Sequence, residues 1–353
     1  MNDPRIEAEV SLADSYRAFT ARRMAVLAFF VLATLTSFVW DVATGPALLP
    51  LSDVVSGIFD PESLTRAQSV IIWDVRLPYA LMALLVGATL GLAGAEMQTS
   101  LNNPLASPYT LGVTAAATLG ASLAIVFGIA LPGIPQNVIV PVCAFATAMG
   151  ATGLILVFSR SYGATVDTIV LFGIAVLFAM EALVSLVQFV ADSDTLQQIV
   201  FWTMGSLGRA DWDKISIVTL VFAVCAVFSF FDVWKMTALR AGEDQARALG
   251  IAVERLRILV LVRASLLCAI AVSFVGTVGF VGLVGPHISR LALGEDHRFF
   301  LPGAALAGAL MLSLASLASK VIVPGLILPV GIVTALAGIP LFVTLIVLQR
   351  RFG

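Results

Sequence analysis

Apolar residues run through this chain in blocks of about twenty, separated by short polar or glycine- and proline-rich breaks. The blocks fall at 24–44, 76–98, 111–130, 138–159, 167–191, 215–234, 257–276, 280–293, 299–322 and 328–348. The breaks include Gly45-Pro46, Asn102-Asn103-Pro104, Pro132-Gly133, Asp192–Asp194 and Pro324-Gly325. A helix needs roughly 20 apolar residues to cross a bilayer. The pattern therefore predicts an all-α polytopic membrane protein with about ten transmembrane helices. The block at 280–293 is short for a crossing and reads as a tilted or half-buried helix. Two further stretches, around Val54–Phe59 and 194–208, have the spacing of short amphipathic helices lying at a membrane surface, with Trp202 as an interfacial anchor.

Composition agrees. Of 353 residues, 59% are hydrophobic and 12% charged, against about 25% charged in a soluble domain. The net charge of −2 offers nothing to a nucleic acid. With ten crossings both termini share a side. Fourteen basic residues then fall on that side (Arg5, Arg17, Arg22, Arg23, Arg160, Lys235, Arg240, Arg247, Arg255, Arg257, Arg290, Arg298, Arg350, Arg351) and five on the other (Arg66, Arg76, Arg209, Lys214, Lys320), while Arg263 lies within a span. Positive charge collects in the cytoplasm, so both termini and the polar segment 240–256 are expected there, in a bacterial inner membrane. Residues 1–23 read as a cytoplasmic N-terminal segment and 24–353 as one transmembrane domain.

No catalytic set is visible. The chain lacks a phosphate-binding G-x-x-x-x-G-K-[ST] loop, an H-E-x-x-H pair and a C-x-x-C pair. Cys143, Cys225 and Cys268 stand singly in apolar runs and read as small buried side chains. His287 and His297 are too far apart in sequence to suggest a metal site. The chain is expected to be no enzyme and to bind no metal or cofactor. Several ionisable residues fall within spans, among them Glu96, Glu181 and Arg263. Such groups usually face a cavity or a partner. Glu181, with Met180 and Gln188, is expected either to border a transport path or to pair with Arg263. Gly87-x-x-x-Gly91 has the spacing that lets helix backbones approach closely.

Several motifs resemble one family. Arg76-Leu-Pro, LLVGATLGLAGAEMQ (84–98), NNPLASPYTLGV (102–113), W-x-M-G-S (202–206), GEDQARALGI (242–251), VGFVGLVGPHISRL (278–291), DHRFFLPGAALAGA (296–309) and LPVGIVTALAGIPLF (328–342) occur in order. Together they are similar to the FecCD-type permease subunits of type II ATP-binding-cassette (ABC) importers, which take up iron–siderophores, heme and cobalamin. The resemblance implies a second permease copy, identical or a paralogue, a pair of partner ATPases carrying ATP and Mg, and a periplasmic substrate-binding protein.

The resemblance also assigns roles. ATPase coupling falls on Gly242, Glu243, Asp244, Ala246, Arg247, Leu249 and Gly250. Glu243 and Asp244 suit the positive end of a short helix. Ala246 and Leu249, three apart, can enter an ATPase groove. Gly250 can end the helix in the left-handed conformation. Binding-protein docking falls on Arg76 and Lys320, although Lys320 can equally be a snorkelling residue. Tyr79 replaces a second arginine seen in some relatives. Gating falls on Asn103, Val166 and Asp167, where Asp167 can instead N-cap its helix. The implied function is import of an iron–siderophore-type chelate driven by the partner ATPases, with heme or cobalamin as the alternative cargo. A rival reading is an ion-gradient-driven secondary transporter that uses Glu181 and Arg263 as a relay.

Overall fold

The computed structural model describes residues 4–47, 49–130, 133, 135–163 and 165–352. All regular structure among them is helical. The helices are α1 (Pro4–Ala43), α2 (Leu51–Phe59), α3 (Arg66–Ser69), α4 (Leu77–Ser100), α5 (Val113–Val126), α6 (Gln136–Ser161), α7 (Val166–Val190), α8 (Ser193–Thr203), α9 (Trp212–Ala241), α10 (Glu243–Ala248), α11 (Val253–Val275), α12 (Val281–Leu293), α13 (His297–Val321) and α14 (Val330–Phe352). Seven of them, α1, α3–α4, α6, α7, α9, α11 and α13, are long and apolar enough to cross a membrane alone. With α5, α12 and α14 they make up the ten predicted spans. α12 has 13 residues, about 20 Å of helix against a hydrocarbon core of about 30 Å, so it is held inside the bundle instead of crossing by itself. α5 is also shorter than its apolar run, because Gly112 (φ 80°) starts it late and Phe127 closes it.

The helices sort into a centre and a shell. The most hydrophobic windows of α3–α4 and α11 are 78% and 72% buried, while those of α7 and α9 are 11% and 22% buried. Backbones touch in the centre. A Cβ on Gly87 would meet the Gly308 carbonyl oxygen at 2.4 Å, and one on Gly91 would meet that of Ala304 at 2.2 Å. α4 thus packs on α13 with no side chain between them, the close approach expected of small-x-x-x-small spacing.

Residues 4–23 continue α1 as one helix of 40 residues. One expectation changes. Trp202 is no surface anchor, being 5% exposed in the core formed by α4, α5, α6 and α11. It faces inward because α8 packs its apolar side against α5.

Side-chain links fix which ends of the helices lie together. At one end, Arg23 of α1 pairs with Asp296 before α13 at 3.4 Å, Arg290 of α12 reaches Gln98 of α4 at 3.2 Å, and His297 Nε2 sits 2.8 Å from the Thr99 hydroxyl. At the other end, Trp212 Nε1 donates to the Trp73 carbonyl at 3.0 Å, and Lys320 meets Asp41 at 2.9 Å. The segment 242–251 belongs to the first end, together with the start of α1.

A candidate coupling face and transport cavity

Gly242 opens α10 with φ 142° and ψ 144°, a conformation only glycine adopts readily. Gly250, at φ 81°, ends the turn that follows. Between them, α10 presents two faces. Ala246 is fully buried against the cluster that includes Met236, Leu239, Val253 and Leu256. Leu249 is 58% exposed, and Asp244 and Arg247 are exposed beside it. The expectation that Ala246 and Leu249 enter a partner together is therefore corrected. Ala246 anchors the helix to its own subunit, and Leu249 alone of the two is offered outward.

The charges of α10 are held by one another. Arg247 meets Glu243 at 3.0 Å, Asp244 at 3.4 Å and Glu254 of α11 at 2.9 Å. Glu243 also turns inward to the guanidinium of Arg257. Exposed pairs contribute little stability each, but the pairs to Glu254 and to the buried Arg257 both tie α10 to α11 and fix its pose. Behind it, Arg240 at the end of α9 binds the carboxylate of Glu295 and the side chain of Asn102. Burial alone would raise the Glu295 carboxyl, yet the hydrogen bond and charge of Arg240, with Arg290 nearby, hold it below its ordinary value.

The docking residues are placed otherwise than the sequence suggests. Val70–Arg76 winds as a π-helix, and this carries Arg76 beneath the end of α1. There it is 4% exposed and donates to the carbonyls of Val42 at 3.2 Å, Ala43 at 2.8 Å and Ala47. It satisfies carbonyls that a helix end leaves open. Lys320 does not snorkel. Its side chain is 3% exposed and Asp41's is 0% exposed, with the ring of Tyr79 4.6 Å away. At both positions expected to dock a binding protein, the cation is buried and engaged within its own subunit.

Two cavities adjoin one another through shared lining residues. One, of about 640 Å³, is lined by residues of the loop after α4 (Ser107–Thr110), by Met204, by Thr277–Phe280 and by Gly331–Leu336 of α14. The other, of about 370 Å³, shares Tyr109, Thr114, Thr203 and Thr277 and adds Leu177, Glu181, Val184 and Ser185 of α7. Glu181 therefore lines a cavity. Met180 does not, because it faces Leu119, Val187 and Ile199. Gln188 is half-buried one turn beyond Val184 and lines neither cavity.

Glu181 has no pairing with Arg263. Arg263 instead donates to Glu96 at 2.7 Å and to Asp232 at 3.0 Å, uniting α11, α4 and α9. The relay of Glu181 with Arg263 is not formed. Of the gate residues, Asn103 accepts from the Leu105 N–H at 2.9 Å and shapes the turn after α4. Val166, the first residue of α7, packs partly buried against the core cluster that includes Ile155 and Ile169. Asp167 is exposed and is not the N-cap, a role taken by Thr165. Sequence reasoning missed Arg240, Arg257 and Asp232. Their basic or acidic character was visible, but the partners named here lie 14 to 157 residues away.

A bundle of membrane-length helices with a charge-locked helix at one end and a cavity within matches an ABC importer permease, as the relatives of this chain show. Matching the FecCD transport family over residues 31–348, the chain belongs to that family. It is 36% identical to the vitamin B12 import system permease protein BtuC of Salmonella arizonae, over 82% of this chain and 86% of that one. It is 35% identical to the molybdate import system permease protein MolB of Haemophilus influenzae, over 81% and 83%. A solved ABC transporter described as of metal-chelate type, in an inward-facing conformation, superposes with a TM-score of 0.80 at 31% identity, covering 91% of this chain and 98% of that one.

Proposed function

We propose that this subunit imports a metal chelate of the ferric-siderophore type across the bacterial inner membrane, driven by ATPase subunits that grip α10 from the cytoplasm. The observation that carries the reading is the two-faced α10, buried through Ala246 and outward through Leu249. A helix pinned to its own bundle on one side and apolar on the other suits a groove in a moving partner. Both termini lie with α10 on the cytoplasmic side, as the distribution of basic residues favours. A second permease copy completes the path along the exposed face of α7, where Leu171, Phe178 and Phe189 stand open. A periplasmic binding protein docks at the opposite end. With Arg76 and Lys320 occupied, the exposed Arg66 at the start of α3 is the cation offered to it.

The cavity walls favour a bulky cargo held by shape. They are largely apolar, relieved by the hydroxyls of Thr110, Thr114, Thr203 and Thr277, and bring no ligand set to a bare ion. Specificity then resides in the binding protein. The complex, reconstituted with its ATPase and binding protein in vesicles, is expected to take up a labelled ferric siderophore only when ATP is present on the α10 side. Uptake of cobalamin, heme or molybdate in preference would reassign the cargo. Uptake by the permease alone under a proton gradient would overturn the ATP-driven reading.

A further inference from the structure

The loop 101–112 connects the two halves of the site, and two arginines hold the end where it leaves α4. Ser100 is the last residue of α4, and its carbonyl accepts from Arg257 Nε at 3.1 Å. The same guanidinium, 2% exposed, binds Glu243, the first residue of α10. One buried side chain therefore touches the start of α10 and the end of α4. Cations suit a helix C-terminus, where carbonyls lack partners. Two residues on, Asn102 adopts φ 43°, a left-handed conformation tolerated by asparagine, and its side chain is held by Arg240. The loop then runs into the cavity, where Ser107–Thr110 form part of the wall. Its far end is fixed by Gly112, where a Cβ would meet the Leu177 backbone of α7 at 2.7 Å.

We propose that Arg257 and Arg240 are positioning residues that carry the displacement of α10 to the 101–112 loop, so that the cavity wall at Ser107–Thr110 follows the ATPase. The inference rests on α10 being the ATPase handle. Neither arginine touches cargo or nucleotide. Both act through what they hold: Arg257 binds the carbonyl where α4 ends, and Arg240 holds the side chain of Asn102. A rigid link of this kind needs short charge-assisted bonds, and a buried guanidinium shared between two helices cannot follow one without moving the other.

The test uses the full complex with its ATPase, in a Cys143→Ser background that keeps the buried Cys225 and Cys268, and two fluorescent reporters, each on one added exposed cysteine. One sits at Ala248 on α10 and one at Tyr109 on the cavity wall. ATP is expected to change both signals in the otherwise unsubstituted complex. In Arg257→Gln, and separately in Arg240→Gln, the signal at 248 and ATP hydrolysis persist, while the response at 109 and uptake per ATP fall roughly tenfold. Arg257→Lys recovers part of the response, because charge is kept and the fork is lost. Should Arg257→Gln fail to fold, Glu243→Gln and Asn102→Gly break the same two contacts from their exposed partners. An undiminished response at 109 in these variants overturns the link while leaving the handle intact. No response at 248 in the unsubstituted complex overturns the handle, and the link with it.

Discussion

Glu96 and Arg263 form a buried ion pair, with side chains 0% and 8% exposed and a closest approach of 2.6 Å. Ser229 adds a hydrogen bond to the same carboxylate, and Asp232 engages the other end of the guanidinium. The group ties α4, α9 and α11 together.

Removing one partner should strand the other. Glu96→Leu is expected to cost about 3–5 kcal/mol, as loss of half a buried pair does, read as a large fall in thermal midpoint in detergent. Glu96→Leu with Arg263→Met should recover much of that loss. If the double variant kept its fold but lost uptake, the pair would hold a transport role beyond packing.

Leu249 and Ala246 should separate function from stability. Leu249 is largely exposed, so Leu249→Asp should shift stability by no more than about 0.5 kcal/mol while abolishing ATP-driven uptake and ATPase co-purification. Ala246→Phe should instead overpack the buried face, costing about 1–3 kcal/mol and loosening α10. Equal loss of fold in both would contradict the two-faced helix.

Lys320→Gln should weaken the protein, because it leaves the Asp41 carboxylate buried without a cation. Affinity for the binding protein, measured by titration in nanodiscs, should stay near that of the parent. Arg66→Glu should do the reverse, sparing stability and weakening docking. An unchanged midpoint with lost docking in Lys320→Gln would restore the role that the sequence suggests.

The Arg240–Glu295 contact sets a pH window. Glu295 is held below its ordinary value in the folded state, so its contribution is fully present above the unfolded carboxyl value of about 4.3. It is lost as pH falls through the lower folded value. The contact should therefore be insensitive to pH between neutrality and about 5, then weaken in more acid solution. Comparing the stability of the parent and Glu295→Gln across this range measures it: their difference should be flat above about 5 and close below it.

The spans were legible because a bilayer imposes one long apolar run for each crossing, and α12 betrayed itself by its shortness. Gly87 and Gly91 announced a close helix contact by spacing alone. Arg76 and Lys320 misled because a basic residue at a span's end looks the same in sequence whether it reaches water or turns back. Only the π-turn at Val70–Arg76 and the position of Asp41 decide that. Met180 failed for a similar reason: adjacent residues on α7 point to different neighbours, and the rotation of that helix is set by α5 and α8. The inward face of Ala246 was equally hidden, since a six-residue helix has too few positions to show which side is dry.

A Cβ on Gly94 would lie 1.7 Å from the carbonyl oxygen of Gly282, so α4 and α12 meet main chain to main chain, as α4 and α13 do. Such a seam has no pliable cushion; it can neither stretch nor slide by rotamer changes. The three helices must travel as a single keel, and any opening for cargo has to be made by parting this keel from the looser planks around it.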